Sequence, residues 1–263
     1  MNFQFYGLVT SELKVIGCGG WKDRRRWAFI GSLQMVWLTA IVLVGTANAQ
    51  VTTFGAPVQL GTDRFKFPRN AHDIAPDLGG SPQCVALRIM FPGMEGRTAA
   101  NWREMSLPSR KSRVLQLLLC DRGHADLPVT AQLSPNAAVE RVAVTHISGR
   151  PLKLIDLLPE LVATEEMGLT RLELNEHART KPQYKTAQLV RKYNYVELRN
   201  SKILTYVGCR STSQKNPSCG LYFPFRSIVV KAEFRNSYLH EWRNIRHMLK
   251  DYLEKHRVEN SLH

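Results

Sequence analysis

Five cysteines, one near-miss metal pattern, a knot of carboxylates and a polar loop are the residues whose types and spacing bear on chemistry. The cysteines are Cys18, Cys84, Cys120, Cys209 and Cys219. None forms a C-x-x-C pair or has a neighbouring histidine, which argues against zinc. Cys84, Cys120, Cys209 and Cys219 are an even set. In an oxidising compartment they read as two disulfides. Three pairings are open; Cys209–Cys219 and Cys84–Cys120 are favoured, because each pair sits at the edge of its own strand-like block.

His240-Glu241 opens the H-E-x-x-H pattern of a zinc protease, but Asn244 stands where the second histidine belongs. His240 and His247 roughly share a helix face, and with Asp251 they could draw a metal; surface histidines on a basic helix are the better account of them. Glu165, Glu166, Glu173 and Glu176 are the acidic concentration, and paired carboxylates can perform glycoside chemistry. Adjacent carboxylates at a helix end also simply face water. No G-x-S-x-G elbow offers a serine nucleophile. These residues predict no catalytic set, no metal and no cofactor. The better candidates concern recognition. A loop closed by Cys209 and Cys219 carries Arg210 and Lys215, and a pre-organised loop loses less entropy on binding. Arg110 and Lys111, within Ser109–Arg113, form a second basic patch. These four cations are the predicted partner contacts.

The chain has 263 residues and a formal net charge of +14. Such a surface favours an acidic protein face, anionic lipid headgroups or nucleic acid. The cations are dispersed and no nucleic-acid reading head occurs, so nucleic acid is not an expected partner. Ahead of Gln50 stand a basic cluster (Lys22, Arg24, Arg25, Arg26), an apolar run from Trp27 to Val44, and Ala47-Asn48-Ala49. That order is a secretory signal. Residues 1–49 are therefore read as a leader and the mature chain as periplasmic; an uncleaved leader would anchor it in the inner membrane. The leader holds five Lys/Arg and two Asp/Glu, so its removal lowers the net charge to +11.

Residues 50–80, rich in proline and glycine, read as irregular. An α+β domain is expected over 81–263, either as one body or as two lobes, 81–168 and 169–263. Strands are predicted at Cys84–Phe91, Val114–Cys120, Arg141–Ile147, Thr170–Leu174, Ala187–Leu198 and Lys202–Cys209. A helix is expected from Pro151 to Gly168, kinked at Pro159. Leu221–Phe225 and Ile228–Phe234 form a predicted hairpin. In it Ile228, Val230, Ala232 and Phe234 face the core, while Val229, Lys231, Glu233 and Arg235 face water. A final helix, Ser237–His256, aligns Tyr238, Trp242, Ile245, Leu249 and Tyr252 in one apolar stripe. The architecture expected is an antiparallel sheet covered by this C-terminal amphipathic helix.

Tyr206-Val207-Gly208-Cys209, a polar loop, Cys219, Tyr222-Phe223, Phe234-Arg235 and then Leu239-His240-Glu241-Trp242-Arg243-Asn244-Ile245 carry a resemblance. Over 185–257 the pattern resembles secreted or lipid-anchored proteins of type VI secretion loci in Proteobacteria. Those proteins are encoded beside toxic effectors as their periplasmic immunity partners. The resemblance implies a non-enzymatic binding protein that covers an effector's active cleft by shape and charge. Gln50 follows Ala49, so no lipobox cysteine is present. An envelope accessory protein that binds anionic lipid or cell-wall polymer is the alternative reading, and a periplasmic hydrolase of unrecognised type is a third.

Overall fold

Period-two alternation in Ile228–Arg235 places one strand near the middle of a long sheet, with apolar neighbours on both sides. The computed structural model describes residues 55–72, 84–121, 133–184, 193–200, 202–210 and 217–258. The predicted leader, 1–49, lies outside the described residues. In chain order the elements are β1 (Val58–Leu60), β2 (Asp63–Phe65), β3 (Cys84–Met90), α1 (Trp102–Met105), β4 (Val114–Cys120), α2 (Pro135–Ser148), α3 (Leu154–Leu157), β5 (Leu161–Glu166), β6 (Leu169–Leu174), α4 (Glu176–Thr180), β7 (Tyr193–Arg199), β8 (Lys202–Cys209), β9 (Ser218–Phe225), β10 (Ile228–Arg235), α5 (Trp242–Lys255) and β11 (Arg257–Val258). Eight strands form one antiparallel sheet in the order β3-β4-β10-β9-β8-β7-β6-β5. This is the expected α+β class, with β4 of the first half paired to β10 of the second. A second, three-stranded sheet, β1-β2-β11, uses part of the stretch 50–80.

Both faces of the central strands of the large sheet are buried, whereas β5 at one edge is exposed. On one face, Ile228, Val230, Ala232 and Phe234 meet the α5 stripe of Trp242, Ile245, Leu249 and Leu253. Arg246 of α5 donates to the Glu197 carboxylate and to Thr205 Oγ1 at 2.5 Å, and its guanidinium lies over the Trp242 ring at 5.0 Å. On the other face α2 packs Ala138, Val139, Val142 and Ile147 against Val196, Tyr206, Tyr222 and Val229. Val229, expected to face water, is therefore only 2% exposed. Lys231 and Glu233 are half-buried, and of the four only Arg235 stands in solvent.

The second face exists because Arg141–Ile147 is helical rather than extended. Ser134 Oγ accepts from Ala137 N at 3.3 Å, Pro135 starts the first turn, and Gly149 closes the helix at φ 76°. Alternation of Val142 with Val144 mimics a strand, yet buried Ala138, Val139, Val142, Ala143 and Ile147 follow helical spacing. The predicted helix 151–168 is likewise only a single turn, α3, and a 3-10 turn at Leu158–Glu160. The chain then becomes β5, joined to β6 by Met167 and Gly168 at φ 54° and 68°. Two successive positive φ values make a tight hairpin turn. A Cβ on Gly168 would meet the Arg243 guanidinium at 2.2 Å. Trp242 Nε1 and Arg243 Nη2 donate to the carbonyls of Met167 and Gly168, each at 3.1 Å, and clamp this turn to α5.

Cys84–Cys120 and Cys209–Cys219 are bonded, as favoured from the sequence. Each joins directly opposed strand residues. They close segments with sequence separations of 36 and 10. Loop entropy then assigns about 4 kcal/mol to the first and about 3 kcal/mol to the second. Serine replacement of each pair, followed by urea unfolding, is expected to show losses in that order. Val229→Ala is expected to cost about 2 kcal/mol by the same measurement, as a side chain buried under a helix should. Arg235→Ala is expected to change stability by less than about 0.5 kcal/mol.

Candidate functional site

The loop closed by Cys209 and Cys219 springs from adjacent ends of β8 and β9. Its base is tied down at several points. Arg210 N donates to Ser218 O at 2.9 Å, and Asn236 N donates to Pro217 O at 3.1 Å. The disulfide stands one residue further into the sheet than Arg210 and Ser218. Ser218 is the register partner of Arg235, so Arg210 and Arg235 share this end of the sheet. Lys215, predicted as a contact, falls outside the described residues. Arg210 is exposed and makes no ion pair among the described residues.

Arg110 and Lys111 reach the same end by a different route. They lie in a 3-10 turn, Ser109–Lys111, that precedes β4 and packs beside β10. Lys111 N donates to Pro108 O at 2.8 Å, and buried Ser112 Oγ donates to the same carbonyl at 3.0 Å. Both cations point to solvent with no ion pair among the described residues. Arg113, two residues on, differs. Its guanidinium holds Glu104 at 2.8 Å and 3.1 Å, and these hydrogen bonds keep the Glu104 carboxyl below the usual carboxylate range. Three of the four predicted contacts therefore stand at one end of the sheet without an ion pair among the described residues, joined by Arg235. Sequence reasoning had assigned Arg235 to the solvent face but not to a site. Beside Arg210, a depression of about 40 Å³ is lined by Gly208, Ser218, Gly220, Lys231 and Glu233.

A larger cleft, about 630 Å³, separates α5 from the turn Arg69–Ala71 and the loop after β3. Met94, Glu95, Asp251, Tyr252, Lys255 and His256 line it. Tyr252 and His256 stack on Phe67, with centroids at 6.2 Å and 5.9 Å. Burial pushes the Tyr252 phenol up. Burial also pushes His256 below the ordinary imidazole range, against the opposing pull of its contact with Tyr252 O at 2.8 Å. His72, on the edge of Phe67, is lowered by burial as well.

The other sequence candidates do not converge. Among the described residues no three His, Cys, Asp or Glu side chains are arranged to hold a metal ion. His247 pairs with Asp251 at 3.5 Å, and His240 with Glu241 at 3.6 Å. Glu173 is held by Arg171 and by Arg179, the latter at 3.0 Å. Glu165 accepts from Thr170 Oγ1 at 2.7 Å. Their surroundings are those of a charged sheet edge.

His72 and His256 generate a pH dependence. Their folded pKa values lie below the unfolded value of about 6.5. The unfolded chain therefore binds more protons as the pH falls through that region, and stability is lost. Glu104 and Glu254, lowered first by hydrogen bonds from Arg113 and Arg226, stay ionised there. The urea midpoint is expected to be flat above about pH 7 and to fall below about pH 6.5. The fall is expected to shrink in His256→Gln; an unchanged slope would discard the assignment.

No protein-family model matches this chain, and no curated protein matches it. Among solved structures the chain is similar to an immunity protein of the Stenotrophomonas maltophilia type IV secretion system. Sequence identity is 17% and the TM-score is 0.56, over 79% of this chain and 100% of that one. At this identity the likeness is one of fold, and it extends over the whole of that protein.

Proposed function

We propose that this chain is an immunity-type binding protein. It neutralises a secreted protein effector outside the cytoplasm by covering the effector's working surface. The observation that carries this reading is the fold shared with an immunity protein along that protein's full length. Two further features support it. The paired cysteines suit an oxidising compartment. The cations at the stapled end of the sheet suit an acidic partner face. The work assigned to the chain is occlusion and charge matching, with no chemical step.

The sequence resemblance points to a type VI system, whereas the fold neighbour serves a type IV system. Immunity is common to both, and the reading rests on that common part. A type VI effector remains the specific partner proposed. Its acidic face would meet Arg110, Lys111, Arg210 and Lys215.

Co-purification with the product of each neighbouring gene tests the proposal. A stable complex that blocks the toxicity of one such product is expected. Salt-sensitive sedimentation with anionic vesicles or peptidoglycan, and no protein complex, would instead support the envelope accessory reading.

A further inference from the structure

Two glycines face each other inside the large sheet. Gly208 of β8 and Gly220 of β9 are register partners, one step from the Cys209–Cys219 bond. Glycine in a strand interior contributes no packing and commonly marks close approach by a ligand or another backbone. Both glycines lie on the face that α2 covers, since Tyr206 and Tyr222 form the next same-face pair. Part of the need for Gly220 is internal: a Cβ there would stand 3.1 Å from Tyr222 Cε2.

Beyond the Tyr222 ring, the two glycines floor the depression of about 40 Å³. Its size is that of about one or two water molecules, too small for a ring or an acyl chain. Arg210 and Lys231 stand on its walls, with Glu233 as the single carboxylate. Lys231 Nζ lies over the Tyr222 ring, 5.7 Å from its centroid. Arg235 continues the same face of β10 into solvent.

We propose that the Gly208–Gly220 trough seats one acidic side chain of a protein partner. Arg210 and Lys231 flank the incoming carboxylate, and Arg110, Lys111 and Arg235 draw the partner toward it. Gly208 and Gly220 are buried, and the volume above them matches a single carboxylate group. The inference rests on the binding-protein reading and adds to it the chemistry of the contact.

The test uses the isolated protein with its disulfides intact. A capped peptide of alternating Glu and Ser is titrated while the amide signals are followed, beside the same peptide with Gln for Glu. The Glu peptide is expected to shift Gly208, Arg210 and Gly220 saturably, and the Gln peptide to leave them in place. Arg210→Glu and Gly208→Val are each expected to weaken binding roughly ten-fold. Lys202→Glu, at the opposite end of β8, is expected to leave it unchanged. Circular dichroism verifies that Gly208→Val folds; Arg210 is exposed, so its variant decides the matter alone if Gly208→Val does not. Equal binding of the Gln peptide, or indifference to Arg210→Glu, overturns the proposal. So does a response to inorganic phosphate or phosphatidylglycerol vesicles without a response to the peptide. Peptide binding without any effector complex would remove the immunity assignment and leave the seat. An effector complex indifferent to both variants would do the reverse.

Discussion

A sheet eight strands wide with apolar side chains on both faces has to be covered twice, and most of this structure follows from that requirement. The central β9–β10 hairpin shows it best. Phe223, Val230 and Phe234 are buried toward α5, while Tyr222 and Val229 are buried toward α2. At about 25 cal/mol per Å² of apolar surface, neither face could be left open without a large loss. The two covering helices are of different kinds. α5 adds polar clamps to its apolar stripe: Arg246 reaches Glu197 and Thr205, and Trp242 reaches the β5–β6 turn. α2 relies on small and β-branched residues that approach the sheet closely, with His146 set against the Tyr206 and Tyr222 rings. Once both faces are covered, surface for binding remains at the ends and edges of the sheet.

The disulfides act at opposite ends of the sheet, since Cys120 pairs with Val229 at the start of β10 and Cys219 with Phe234 at its end. Cys84–Cys120 fastens β3 to β4 at the sheet margin, and Cys209–Cys219 fastens the central pair β8–β9 where its loop departs. A cross-link between residues already opposed in a sheet changes the native contacts little and restricts the unfolded chain more. For the polar loop, the bond also fixes the distance between its two stems. Arg210 and Ser218 therefore leave the sheet at a set separation.

Much of this was legible in the chain. Val114–Cys120 and Lys202–Cys209 are visible as strands to the residue, because apolar runs there end at clear turn chemistry. The α5 stripe is equally plain, since Trp242, Ile245, Leu249 and Tyr252 can share a face only on a helix. α2 misleads because β-branched residues that alternate locally also satisfy helical spacing over a longer window. Its Ser134-Pro135 start and Gly149 stop are the signals that decide between the two. β5 misleads in the opposite direction: Leu154, Ile155, Leu158, Leu161 and Val162 fit a helix, and only the Met167-Gly168 turn reveals a hairpin. Val229 reads as a surface residue because strand periodicity cannot announce a second covering layer. The glycine trough was within reach. Once Cys209 and Cys219 are paired across two antiparallel strands, Gly208 must face Gly220. The convergence of Arg110 with Arg210 was not, since it depends on how a turn before β4 packs beside β10.

The charges at this end divide into two kinds, and the division bears on how a partner would be held. Arg113 is neutralised by Glu104, so its field is largely cancelled at short range. Arg110, Lys111, Arg210 and Arg235 have no such carboxylate among the described residues, so their fields extend into solvent over about a Debye length of 8–10 Å. Exposed cations of this sort speed encounter with an acidic surface and add little to residence once salt is present. Residence needs desolvated contact at fixed geometry. The stapled strand ends and the trough between Arg210 and Lys231 provide that geometry, because they belong to the sheet itself. Arg110, Lys111 and Arg235 thus form an outlying rim, while Arg210 belongs both to that rim and to the proposed seat.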